Sequence, residues 1–81
     1  MDDAEVLQRI NQLVEEEHRL REHAAGGHPL TGDDTTRLAA LEVGLDQCWD
    51  LLRQRRARRE YGQDPDEAAP RDPSVVERYL Q

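Results

Sequence analysis

The stretch Leu38-Ala39-Ala40-Leu41-Glu42-Val43-Gly44-Leu45-Asp46-Gln47-Cys48-Trp49-Asp50-Leu51-Leu52-Arg53-Gln54-Arg55 sets Leu38, Leu41, Leu45, Cys48, Leu52 and Arg55 at alternating steps of three and four. That spacing returns side chains to one face of an α-helix, whereas a strand would alternate every two residues. Trp49 and Leu51 flank the stripe. The apolar face is therefore wider than one neighbouring helix can cover and calls for two partners.

Upstream, Val6, Ile10, Leu13, Leu20 and Ala24 recur at helical steps, with Leu7 and Val14 beside them and Glu17 interrupting the stripe between Leu13 and Leu20. Asp2 or Asp3 can cap the first free amides, and Glu5 places negative charge at the positive end of the dipole. Glu5 with Arg9, Glu15 with Arg19 and Glu17 with Arg21 add acid-before-base pairs at i, i+4. The spacing predicts a helix over 3–25. Gly26, Gly27 and Pro29 stop it, and Thr31 with Asp34 resembles a capping box, Asp33 being the alternative cap, that opens a second helix over 33–60.

Two helices joined by the short turn 26–32 fold back antiparallel, and facing residue numbers then add up to about 58. Leu20 meets Leu38, Leu13 meets Leu45, Ile10 meets Cys48 and Val6 meets Leu52, so both stripes are in phase. The same register brings Asp2, Asp3 and Glu5 alongside Arg53, Arg55 and Arg56.

Gly62 ends the second helix. Residues 61–73, with Asp64-Pro65, Pro70 and Pro73 among acids and alanines, read as an extended, solvated linker. Ser74 with Glu77 makes another capping box, opening a short helical segment over 74–81 that contains Val75, Val76, Tyr79 and Leu80. A helix of about eight residues is not stable alone, so it docks on the hairpin or waits for a partner. The expected fold is all-α: a two-helix, coiled-coil-like hairpin at 1–60 with a C-terminal tail, doubled into a four-helix bundle as a dimer.

Composition agrees with narrow stripes rather than a large core. Of 81 residues, 36% are hydrophobic, 36% are charged and none is Phe, and a chain this short buries a limited share of its surface. The formal net charge of −7 repels nucleic acid and anionic membrane at long range. The exception is local: Arg53, Arg55, Arg56, Arg58 and Arg59 put five arginines in seven positions. No apolar run approaches the roughly 20 residues that span a bilayer. Cys48 is the single cysteine, and Met1-Asp2-Asp3 has neither the basic nor the apolar part of a secretion signal, so a cytoplasmic setting is expected.

Signals for chemistry are weak. Glu15 and His18 have the i, i+3 spacing of di-metal carboxylate bundles, yet they point away from the stripe, and His18, His23 and His28, five apart, do not share a helix face. Cys48 lies between Leu45 and Leu52 on the apolar stripe, where packing rather than nucleophilic catalysis is expected. No metal site, cofactor or catalytic residue is assigned, and the chain is not expected to be an enzyme. Glu17 on the apolar stripe pairs with Arg21 or sits at a water-facing gap, the alternative being a register-setting contact across a dimer.

The run Leu38 to Arg59, preceded by Leu13-Val14-Glu15-Glu16-Glu17-His18-Arg19-Leu20 and followed by Asp64-Pro65-Asp66-Glu67 and Val75-Val76-Glu77, resembles the small actinobacterial proteins grouped as domain of unknown function number 2630. The similarity covers nearly the whole chain. It implies an actinobacterial cytoplasmic protein and carries no catalytic residue, cofactor or partner to transfer.

The function expected on these grounds is protein–protein interaction or a structural role through a homodimer. Partner contacts are assigned to Arg53, Arg55, Arg56, Arg58, Arg59, Trp49, Glu17 and Tyr79, with an acidic protein as a further partner. The alternative, a nucleic-acid or ribosome-associated factor, would use the five arginines on phosphates; overall charge disfavours it, and no membrane partner is expected.

Overall fold

The computed structural model describes residues 1–80, and of Tyr79 and Leu80 the backbone alone. Helix α1 spans Asp3–Ala25 and helix α2 spans Gly32–Glu60; a 3-10 turn follows at Pro65–Glu67, and helix α3 spans Pro73–Leu80. No strand occurs among the described residues.

Both long helices begin with reciprocal caps. The Glu5 amide donates to Asp2 Oδ1 at 2.8 Å while Glu5 Oε1 accepts from the Asp2 amide at 3.3 Å. Thr31 and Asp34 repeat the arrangement at 3.1 and 3.0 Å. Each box satisfies two amides that the helix itself leaves unpaired. Gly27, at φ 93°, turns the chain after α1 in a conformation that a side chain would strain.

The two helices pack side by side, and four long-range ion pairs span them: Asp3 with Arg55 at 2.5 Å and with Arg59 at 2.9 Å, Glu16 with Arg37 at 2.6 Å and Glu42 with Arg21 at 3.5 Å. Asp3 and Arg55 lie on the register read from the two stripes. Leu13 packs against Gly44, so closely that a Cβ at that glycine would lie 3.3 Å from Leu13 Cδ1. The backbone-only residue accounts for the unfavourable Gly inside a long helix. Val6, Ile10, Leu13, Leu38, Leu41 and Leu51 form the buried seam, with Leu45, Cys48 and Leu52 half-buried against it.

The segment read as a solvated linker is tied to α2 by hydrogen bonds. Gln47 donates to the Arg71 carbonyl at 3.1 Å, Gln54 to the Ala69 carbonyl at 3.0 Å, and Arg55 to the Pro65 carbonyl at 3.1 Å. Ala68 packs on the cluster of Val6, Ile10 and Leu51. Helix α3 then lies against α2 and buries Val76 completely. The tail thus covers the side of α2 that carries Gln47, Asp50 and Gln54 and closes over the cluster in which Leu51 packs against Val6 and Ile10 of α1.

The third capping box differs from the sequence reading. Asp72, not Ser74, caps α3: its Oδ1 accepts from the Ser74 amide at 2.9 Å and from the Ser74 hydroxyl at 2.6 Å. Pro73 is the cause, because its fixed φ suits the first helical position and it has no amide to leave unpaired, which moves the start one residue upstream. Glu77 is consequently free of the cap and turns to α2.

Candidate interaction surface

Two edges of the hairpin can be told apart by the ion pairs that bridge them. Leu7, Val14 and Arg21 recur every seven residues on α1, and Glu42, Trp49 and Arg56 recur every seven on α2. A seven-residue repeat drifts only about 20° around a helix. The Arg21–Glu42 bridge joins the two rows on one edge. Along this edge Leu7, Val14 and Trp49 are 45%, 49% and 46% exposed. Glu16 and Arg37 bridge the opposite edge, where Arg9, Gly44 and Leu51 lie on the corresponding rows.

That opposite edge holds a groove of about 240 Å³ whose walls include Met1, Arg9, Leu13, Gly44, Cys48 and Pro70. Burial pushes the Cys48 thiol pKa up, with the nearby Arg9 charge opposing it. The thiol is therefore less ionised than a free cysteine and a poor nucleophile. Among the described residues no three His, Cys, Asp or Glu side chains gather as metal ligands. His18 is exposed and lies 3.1 Å from Glu22, and the rings of His23 and His28 meet at a tilt of 45° with centroids 4.3 Å apart.

The five clustered arginines are placed in very different surroundings. Arg55 is buried, only 5% of its side chain being exposed, and donates to Asp3, to the Pro65 carbonyl and to Asp66. Arg59 also reaches Asp3, at 2.9 Å, and Arg58 reaches Glu67 at 3.5 Å. Arg53 and Arg56 remain outward, the first 4.0 Å from Asp50 and the second 3.1 Å from Glu60. The expected set Asp2, Asp3 and Glu5 beside Arg53, Arg55 and Arg56 is therefore narrower in fact. Asp3 is the acid that arrives, and Arg55 and Arg59, one turn apart, are the bases that meet it. These two guanidinium groups hold the Asp3 carboxyl below the usual carboxylate range.

Glu17 lies 3.4 Å from Arg21 within its own helix and is 26% exposed as a side chain, so its charge has both a partner and water. Trp49 projects from the open edge. The side chain of Tyr79, assigned to partner contacts on sequence, lies outside the described residues.

Asp50 and Arg71 escaped the sequence reading. Asp50 is 1% exposed and receives both Arg71 Nε, at 2.9 Å, and Arg71 Nη2 in a two-pronged pair, with Gln54 donating at 3.0 Å. Arg71 first, then Gln54 and Arg53, hold its carboxyl below the ordinary range against the opposing effect of burial. A signal was present: Gln47, Asp50 and Gln54 are spaced three and four apart, a polar row on the side of α2 turned away from α1.

Glu77 opposes this clasp. Its Oε1 is buried without a hydrogen-bond partner. Burial first, then contact with Asp46 and the charges of Asp46 and Glu42, push its pKa above the usual glutamate range. A carboxyl whose pKa rises on docking binds its proton more tightly when docked, so its support for α3 is fullest below the free-glutamate range and fades as pH rises through the shifted value. The lowered Asp50 has the opposite sign, its support being lost on acidification. Glu77→Gln is expected to increase amide-exchange protection of α3 at neutral pH and to remove the weakening of docking on the alkaline side of the glutamate range. Unchanged protection would show that Glu77 reaches water instead.

The profile of the family described as "Protein of unknown function (DUF2630)" matches residues 2–81. Uncharacterized proteins of Mycobacterium bovis and of Mycobacterium tuberculosis are each 47% identical to this chain over 77 residues, covering 95% of it and 88% of the relative. No solved structure matches the chain. A helical hairpin with a clasped tail, matched from Asp2 to its last residue and nearly half identical to the mycobacterial proteins, belongs to the DUF2630 family.

Proposed function

We propose that this protein is a protein–protein interaction module that works as a homodimer, two hairpins joining into a four-helix bundle through the edge carrying Leu7, Val14 and Trp49. The observation that carries this reading is the half-exposed Trp49, which lies between two half-exposed apolar positions of α1, Leu7 and Val14. Large aromatics are enriched at the centres of interfaces, where desolvating them contributes most. A thin two-helix core gains stability by association, as small domains commonly do. The module acts by binding, without a catalytic centre, metal or cofactor of its own, and a cytoplasmic setting suits its single reduced thiol.

Light scattering over a concentration series tests it. The parent protein is expected to reach the mass of a dimer, and Trp49→Glu to weaken association by roughly thirtyfold or more, as expected for a central hot spot. Circular dichroism should show the Trp49→Glu monomer still helical, because the side chain lies outside the buried seam. A parent protein that stays monomeric at the highest concentration reached would reject the reading.

A further inference from the structure

Trp49 lies midway between Glu42 and Arg56, seven residues from each, and all three share the open edge. The edge is acidic at its Glu42 end, where Glu77 of α3 packs on the neighbouring Asp46 and adds its own carboxyl, and basic at its Arg56 end, with Arg53 adjoining. A two-fold axis perpendicular to α2 at Trp49 would exchange these ends. Such an axis sets Glu42 of one copy against Arg56 of the other, twice, with the two Trp49 side chains meeting at the centre. A parallel arrangement would instead place Glu42 on Glu42 and Arg56 on Arg56, which like-charge repulsion disfavours.

We infer that the second copy docks antiparallel along α2, with Trp49 on the two-fold axis and Glu42 paired to Arg56 of its partner. This rests on the self-association proposed above and names its geometry. Existing contacts do not prevent it. Arg56 meets Glu60 at 3.1 Å and Glu42 meets Arg21 at 3.5 Å, and all four side chains are more than half exposed, a setting in which ion pairs exchange partners at little cost. The rest of the arginine cluster is spoken for: Arg55 and Arg59 hold Asp3, and Arg58 holds Glu67. Arg53 and Arg56 thereby serve recognition of a second copy rather than of phosphate, in keeping with a net charge of −7.

Charge reversal separates the register from the association itself. Glu42→Arg and Arg56→Glu are each expected to weaken the homodimer on the order of tenfold, because each turns two attractive contacts into repulsive ones. Mixed in equal amounts, the two variants are expected to form a heterodimer near parental affinity, since both facing pairs again carry opposite charges. Native mass spectrometry distinguishes the heterodimer once one variant is isotopically labelled, and the effects should shrink in high salt. A parent dimer whose affinity neither reversal changes, or variants that do not recover on mixing, would overturn the antiparallel register while leaving dimerisation standing. A monomeric parent would instead remove the reading on which the register rests.

Discussion

Asp50→Ala is expected to release the C-terminal tail from the hairpin, with loss of α3 helicity and of amide protection across residues 69–80 while α1 and α2 remain folded. Asp50 is the centre of the contacts that hold the tail. Arg71 binds it with two donors, Gln54 bridges it to the Ala69 carbonyl, and Gln47 holds the Arg71 carbonyl one turn away. Removing one partner of a buried ion pair typically costs about 3–5 kcal/mol, because the other charge is left without compensation. Arg71 keeps 35% of its side chain in water, so the lower end, about 3 kcal/mol, applies. An eight-residue helix has no stability of its own to set against that loss. Hydrogen exchange and the far-ultraviolet dichroism of the variant measure the release. A companion, Asp50→Leu with Arg71→Met, replaces the pair with apolar groups of similar bulk and should dock nearly as well as the parent, since exchanging a buried pair for packing is often neutral. If Asp50→Ala kept full α3 protection, Val76 packing alone would hold the tail.

The helices of the hairpin were legible because their determinants are local. Apolar steps of three and four, the Asp2–Glu5 and Thr31–Asp34 boxes and the glycines of the turn all act within a few residues of one another. Their mutual register was also readable, since Asp3 meets Arg55 where the two stripes in phase require it. The tail was not legible in the same way. Its hold depends on pairs such as Asp50 with Arg71 and Arg55 with Asp66, which join separate parts of the chain through a Pro-rich stretch that composition alone marks as solvated. Five arginines in seven positions likewise looked like one feature. On a helix they point in different directions, so Arg55 enters the interior while Arg53 and Arg56 stay in water. Only placement beside α1 and the tail separates the structural arginines from those open to a partner.

Leu41→Ala is expected to cost about 3 kcal/mol, within the roughly 2–5 kcal/mol range for emptying a buried leucine site. Leu41 is fully buried, the bulkiest side chain of the seam with no exposure. A chain of this length has on the order of 4–12 kcal/mol of stability in all, so the variant loses a large fraction of it. Alanine's better helix propensity returns only a few tenths of a kcal/mol, and Leu41→Met, which keeps the volume, should cost less than about 1.5 kcal/mol. Urea unfolding checks both variants against the parent at one protein concentration. Leu7→Ala provides the contrast, because Leu7 is 45% exposed and its truncation should scarcely change the stability of an isolated hairpin. If the dimer is coupled to folding, the Leu7→Ala loss should instead grow with protein concentration as the parent gains stability by mass action. Leu41→Ala should be costly at every concentration. A Leu7 effect that is absent throughout the series would mean that this position contributes nothing to association, leaving the open edge to Trp49 and its charged neighbours.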